Sequence, residues 1–309
     1  MRDPREETEL AVMAGGANYR ISIVIPTRVG WPGMRRSVDA VLPQLDGVGG
    51  QLIVADASGL PAPEFASADN IEWLRLPGTP SYLLRKAAYA RASAPIIAVT
   101  EDHCAPTADW ASAVVAAHHR EPGAAVVYGL VENGSREHAV DWALYSVGYI
   151  AWAPPAPLQS GTPGHANLSF KAWVFQVMPP EGERLLEFRY VAALRDAGYR
   201  VVATDGTRVT HFQSAGLLAT ATLLFHNGRA IAGLRRERMT GRDWVRTIVP
   251  GWICGFRTLR TLRIAASKPE IEPDVRRSAP LIALLHLAHA IGESVGYLGG
   301  PGESGRRLH

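Results

Sequence analysis

Two carboxylates and an imidazole stand side by side at Glu101-Asp102-His103. Carboxylate and imidazole groups both bind divalent cations, and a carboxylate also accepts hydrogen bonds from a ribose. The triplet follows Pro95–Val99, an apolar run that reads as a buried strand, so it falls at that strand's C-terminal end. In an open α/β sheet, ligands bind in the crevice beyond that end of the strands. Pro106 is expected to open a helix, because proline is well tolerated in a first turn. The same residues would also serve as a plain solvated turn, so the elements around them decide what they mean.

Ile21–Thr27 is a β-branched run with a proline near its end, and it predicts a buried strand. Beyond a loop of Gly30-Trp31-Pro32-Gly33, Met34, Val38, Val41, Leu42 and Leu45 recur at helical spacing. Gln51–Ser58 predicts the next strand, ending in Asp56 and Ser58, a pair that suits a turn as well as a ligand contact. A third strand is expected over Ile71–Leu76 and a helix over Ser81–Arg91, which carries Arg85 and Lys86. Strand and helix alternating in this way predict a parallel sheet with helices on its faces. No Gly-x-Gly-x-x-Gly or phosphate loop occurs in this alternating stretch, so phosphate charge would have to be met by a metal or by cations.

Helices are expected over 108–119 and 137–150, with a strand over Ala124–Tyr128 between them. A glycine-rich loop, Gly161 to Asn167, leads into a polar-apolar alternation where Asn167 could face a sugar. Glu183–Ala197 predicts a helix closed by Gly198, followed by short strands at Tyr199–Ala203 and Thr207–Phe212, with His211 near the end of the second. Past residue 214 strands cease. Eight arginines from Arg235 to Arg263 interleave with Trp244, Trp252, Phe256 and Leu259, a composition that suits either an anionic membrane surface or a packed helical cap. Ala279–Leu298 is apolar but carries His286, His289 and Glu293, so a buried or interfacial helix is expected there rather than a span.

The chain has 309 residues, 47% hydrophobic and 20% charged, which suits a globular domain with an appendage. A net charge of +3 gives no argument for a nucleic-acid partner. Cys104 and Cys254 are too few and too far apart for a disulfide framework or a zinc site, so the expected compartment is a reducing cytoplasm. The first residues lack the apolar core of a secretory signal and read as a loose tail. The expected organisation is a tail over 1–19, a catalytic domain over 20–213 and a basic, apolar helical region over 214–309.

From Ile21 to His211 the chain resembles glycosyltransferase family 2, the inverting nucleotide-sugar enzymes of GT-A fold. The likeness lies in an ordered set. Ser22–Thr27 is similar to the family's opening strand, Val54-Ala-Asp-Ala-Ser58 to its Val-Asp-Asp-Gly-Ser, and Leu84–Ser93 to its arginine-bearing helix. Glu101-Asp102-His103 stands where the family has Asp-x-Asp, with Pro106 and Trp110 matching the proline and tryptophan beyond it. Gly164-His-Ala-Asn167 is similar to a Gly-x-Asn loop, and Leu186-Glu187 lies where a Glu-Asp pair is usual. Glu101 and His103 replace the family's outer aspartates, and Leu186 replaces an acid.

The resemblance implies an α/β fold of GT-A (Rossmann-like) type, a mostly parallel sheet flanked by helices with a C-terminal helical region. It implies transfer of one sugar from a nucleotide-diphosphate donor to an acceptor hydroxyl, with inversion. Donor binding falls to Pro26, Thr27, Asp56, Arg85, Glu101 and Asp102, and the acceptor side to His165 and Asn167. Glu187 takes the general-base position. His103, Asp102 and His211 take the metal, Mn²⁺ or Mg²⁺. The Gln-x-x-Arg-Trp motif of processive synthases is absent after Glu187, which implies single-sugar transfer. The expected acceptor is a lipid-linked or free saccharide, and the expected place is the cytoplasm, peripheral on the inner membrane face. The rival expectation is a non-catalytic nucleotide-sugar-binding or scaffold protein of a membrane-associated glycan assembly complex.

Overall fold

The computed structural model describes residues 19–159, 163, 166–236 and 239–307. These residues form two compact units. One comprises the chain up to Glu132 together with Ala156–His211, and the other comprises Asn133–Pro155 with the chain from Phe212 onward. All but the last residue of the tail expected over 1–19 lies outside the described residues.

The first unit is built on an eight-stranded sheet. Its strands are β1 (Ile21–Thr27), β2 (Gly50–Asp56), β3 (Ile71–Arg75), β4 (Ile96–Val99), β5 (Cys104–Pro106), β6 (Ala124–Asn133), β7 (Leu168–Lys171) and β8 (Arg200–His211). Their order across the sheet is β3-β2-β1-β4-β7-β6-β8-β5. The first four run parallel, and β1, β2 and β4 are buried along their whole length, as near-continuous apolar strands with both faces covered should be. Pro26 sits in the central strand β1 without cost, because β4 pairs with β1 only as far as Val24. Buried Ser22 is matched by Gln51, whose Oε1 accepts its hydroxyl at 2.8 Å.

The helices of this unit include α1 (Arg35–Val41), α2 (Ser81–Tyr89), α3 (Trp110–Arg120) and α5 (Glu187–Asp196), with α4 (Ala139–Tyr149) lying in the other unit. Tyr89 of α2, Phe170 of β7, Phe175 and Tyr190 of α5 form an aromatic cluster; the Phe175 and Tyr190 rings stack with centroids 5.5 Å apart.

Tertiary pairing overrides several local expectations. Pro106 does not open a helix. It ends β5, opposite Val209 of β8 at the edge of the sheet, where a missing N–H is tolerated, and α3 begins at Trp110. The two short strands expected over 199–212 are one strand, β8, and the strand expected to end at Tyr128 runs on to Asn133. The helix expected from Glu183 is interrupted. A 3-10 turn covers Gly182–Leu185, and Leu186 is extended, so α5 starts at Glu187.

The second unit is helical. It contains α4, α6 (Leu217–Arg235), α7 (Gly241–Ile248), α8 (Pro250–Ala265), α9 (Glu272–Arg277) and α10 (Ala279–Gly299). α6 and α10 pack with their backbones in close approach. A Cβ added at Gly292 would strike the carbonyl oxygen of Phe225, so only glycine fits there. Asp243 of α7 anchors a buried polar knot. It accepts the Thr240 amide at 2.9 Å and the Tyr297 hydroxyl at 2.8 Å, and pairs with Arg235 at 3.2 Å. Burial alone would raise its pKa, but these bonds outweigh burial and hold it down at about 2. α10 is long and apolar enough to cross a membrane by length and composition, yet its Glu293 is buried and paired with Arg257 at 3.0 Å.

Candidate active site

Strand order reverses around β1. β2 follows on one side, while β4 lies on the other, so the crevice between the carboxyl ends of β1 and β4 is a topological switch point. Thr27 ends β1, and Glu101 and Asp102 lie just beyond β4. The Thr27 hydroxyl donates to Asp102 Oδ2 at 2.8 Å and accepts the Val29 and Gly30 amides, tying the two strand ends together. The Ser37 hydroxyl of α1 donates to the Glu101 carbonyl at 3.0 Å, which fixes the turn that aims the Glu101 side chain.

β8 completes the site from far along the chain. Its register with β5 sets His211 opposite Cys104, one residue from His103. Nε2 of His103 and Nε2 of His211 are 2.9 Å apart. Glu101 Oε2 lies 3.5 Å from the His211 nitrogen and 3.7 Å from the His103 nitrogen. Among the described residues, Glu101, His103 and His211 form a group able to hold a metal ion. A triangle with those sides has its centre about 2.0 Å from each corner, close to the bond lengths of small divalent cations to imidazole and carboxylate.

Asp102, expected among the ligands, faces the other side of His103. Its Oδ1 accepts from His103 Nδ1 at 2.7 Å. That bond keeps a proton on Nδ1 and turns the Nε2 lone pair toward Glu101 and His211, the arrangement by which a carboxylate orients a metal-binding histidine. Burial disfavours the charged imidazole, but Glu101 and Asp102 outweigh burial and raise the His103 pKa. Burial and Glu101 push the Cys104 thiol well above its ordinary value, so Cys104 stays a neutral neighbour. The donor set, two imidazoles and a carboxylate backed by a second carboxylate, fits a divalent cation.

Arg85 and Glu187 form a second, drier group. Arg85 Nε lies 3.2 Å from Glu187 Oε1, both side chains are buried, and the Tyr89 hydroxyl donates to the same oxygen at 3.1 Å. Arg85 also acts electrostatically on His103, so this group and the Glu101–His103–His211 group feel each other's charge. Tyr89 was not singled out by sequence reasoning. Its spacing of four from Arg85 on α2 was the available signal, since such residues share a helix face.

The other expected residues are placed differently. Asp56 is buried at the end of β2, where Oδ1 accepts the Ser58 amide at 2.7 Å and Oδ2 accepts the Trp73 indole N–H at 3.1 Å. Pro26 precedes Thr27 inside β1 and is buried. Asn167 is buried in a structural network. Its Oδ1 accepts the Trp110 indole N–H at 2.9 Å, and its Nδ2 donates to the carbonyls of Leu130 at 2.9 Å and Thr207 at 3.1 Å. His165, with Gly161 and Gly164, lies outside the described residues. Arg28, next to Thr27 and also not anticipated, interacts electrostatically with Asp102 and adds a cation at the crevice.

No family model matches the chain, and no curated protein matches it in sequence. Solved structures match it in fold. The mannosyltransferase PcManGT from Pyrobaculum calidifontis, in complex with GDP-Man and Mn²⁺, is 13% identical, with 96% of this chain and 94% of that one covered at a TM-score of 0.54. GalNAc-T7 with UDP, GalNAc and Mn²⁺ is 12% identical over 69% of this chain, at a TM-score of 0.47; the chain spans 53% of its length. S. aureus TarS 1-349 with UDP is 11% identical, covers 91% of this chain and 92% of that one, and has a TM-score of 0.44. Like the first of these, this chain has the GT-A fold, a mixed α/β sheet flanked by helices and followed by C-terminal helices.

Proposed function

We propose that the protein is a metal-assisted glycosyltransferase that moves a single sugar from a nucleotide-diphosphate donor to an acceptor hydroxyl. The observation that carries this reading is the convergence of Glu101, His103 and His211 at the switch point of a GT-A sheet. The mannosyltransferase of like fold holds GDP-Man and Mn²⁺, which supports a nucleotide sugar and a divalent cation here. In our reading Glu101, His103 and His211 are the ligands and Asp102 orients His103, an exchange of Asp102 for Glu101 relative to the sequence expectation. Mn²⁺, or Mg²⁺, bound there would supply Lewis-acid neutralisation of the departing diphosphate.

The chain's own residues do the rest. Thr27, Asp56 and the Pro26 backbone lie at the carboxyl ends of β1 and β2, where they can meet the nucleoside, and Arg28 adds positive charge toward the diphosphate. Glu187 takes the proton of the acceptor hydroxyl. The Tyr89 hydroxyl and Arg85 fix its carboxylate, and the aromatic cluster around Tyr89 and Tyr190 excludes water from that side. A single displacement of this kind inverts the anomeric centre. The network around Asn167 leaves it a role in holding the site's shape rather than in touching the acceptor. The acceptor is a saccharide hydroxyl, lipid-linked or free.

The test is release of nucleoside diphosphate from a panel of UDP- and GDP-sugars, with Mn²⁺, with and without simple saccharide acceptors. Release that depends on Mn²⁺ and disappears in His211→Ala supports the reading. Unchanged release in that variant, or none from any donor alongside no binding of the nucleoside diphosphates, overturns it.

A further inference from the structure

In the second unit, ten of the fourteen large apolar side chains exposed among the described residues are gathered, although this unit is the smaller part of the chain. The most exposed aromatic residues stand on α8. Trp252 is 74% exposed, Phe256 64% and Leu259 57%. Their spacing of four and three places them on successive turns of one face. Arg260 and Arg263, both exposed, continue that face toward the helix C-terminus. Trp244 and Val249, on and just after α7, are exposed as well.

The opposite face of α8 is occupied. Thr261 meets His286 at 3.2 Å, Arg257 meets His289 and Glu293 at 3.0 Å each, and Cys254 Sγ donates to the Ala283 carbonyl at 3.1 Å. The helix is therefore anchored inward by polar contacts to α10 and presents its aromatic residues outward, the reverse of a soluble helix. From Trp244 to Pro269 the sequence has four arginines, one lysine and no acidic residue. A protein partner of ordinary composition would not require that one-sided charge, whereas a negatively charged surface with an apolar interior would.

We propose that α8 docks on an anionic lipid surface, with Trp252, Phe256 and Leu259 entering the headgroup–acyl boundary and Arg260 and Arg263 meeting lipid phosphates. Tryptophan suits that depth, because its ring is apolar and its N–H finds a partner among headgroups. The contact is interfacial. A helix that carries two arginines on its lipid-facing side and is held inward by buried polar pairs lies along the surface rather than crossing it. This inference concerns the helical unit alone and stands whether or not the first unit transfers sugars.

The test is flotation of the full chain with vesicles of phosphatidylcholine alone or with added phosphatidylglycerol. The wild type is expected to float with the anionic vesicles only and to be released as salt is raised. Trp252→Ser combined with Phe256→Ser should weaken partitioning about tenfold or more, and Arg260→Gln with Arg263→Gln about tenfold. These side chains are exposed, so circular dichroism and Tm should be unchanged in both variants. A wild type that stays at the bottom of the gradient with both vesicle types overturns the proposal. So does a Trp252→Ser, Phe256→Ser variant that floats as well as wild type. Sedimentation analysis gives the third contrary outcome: a wild-type dimer that this variant converts to monomer would mean that the face joins two copies.

Discussion

Nε2 of His103 and Nε2 of His211 lie 2.9 Å apart, although 108 residues separate them in the chain. One imidazole must hydrogen-bond the other, or both must turn lone pairs to a shared cation. Asp102 already binds the Nδ1 side of His103, and Glu101 Oε2 stands within 3.7 Å of both Nε2 atoms, so the arrangement suits the cation.

If that is so, removing one ligand should be visible on the metal itself. His211→Ala is expected to weaken Mn²⁺ binding at least about tenfold and to remove one of two imidazole nitrogen couplings from the electron spin-echo spectrum of bound Mn²⁺. A spectrum without nitrogen coupling in the wild type would contradict the assignment.

Asp102→Asn separates orientation from ligation. The amide keeps a hydrogen-bonding group between Thr27 and His103 but removes the charge behind the imidazole. Loss of such a supporting carboxylate is expected to cost about 10- to 100-fold in metal affinity. Titration calorimetry with Mn²⁺ checks it, and the thermal midpoint should scarcely move.

Glu187→Gln should lower kcat by about 10²- to 10⁴-fold and leave the affinity for donor nucleotide nearly intact, as expected for loss of a general base. The glutamine retains an acceptor for the Tyr89 hydroxyl. Arg85→Ala is the contrast. It removes the cation beside the buried Glu187 carboxylate and should destabilise the protein by about 3–5 kcal/mol in urea unfolding.

How far the site was legible follows from these same residues. Glu101-Asp102-His103 could be recognised because an apolar run delivers it to a strand end, and Arg85 stands out on its helix, whereas Tyr89, four residues on along the same face, does not. Which side of His103 Glu101 and Asp102 each face could not be recognised. It depends on the turn in which the Cys104 amide bonds the Glu101 carbonyl at 3.0 Å, and on β8 bringing His211 to the Glu101 side. Pro106 misled because proline's local preference for a helix start yields to strand pairing at a sheet edge. The partners of Asn167, Trp110, Leu130 and Thr207, were not legible from the alternation around it, because the fold brings them from distant strands and a helix.

Asn167→Leu therefore reads on stability. It would leave the Trp110 indole N–H and two buried carbonyls without their partner, and should cost about 2–4 kcal/mol in denaturant unfolding. An acceptor contact would instead show as a raised acceptor KM with stability unchanged.

Asp243 supplies a pH test in the second unit. Its folded pKa, about 2, lies below the unfolded value of 3.8, so its stabilisation is fully present above pH 3.8 and is lost as pH falls through the folded value. Asp243→Asn should cost about 2 kcal/mol at pH 6, with the difference from wild type shrinking between pH 4 and about 2. Urea unfolding of both proteins across that range measures it.

Calorimetric titration with UDP and GDP, with and without Mn²⁺, tests the central claim most directly, because it needs neither the donor sugar nor the acceptor to be known. The account predicts that Mn²⁺ strengthens binding of one of the two nucleotides about tenfold or more in the wild type and not in His211→Ala. Binding of neither nucleotide, or binding that ignores both the metal and the substitution, would contradict it.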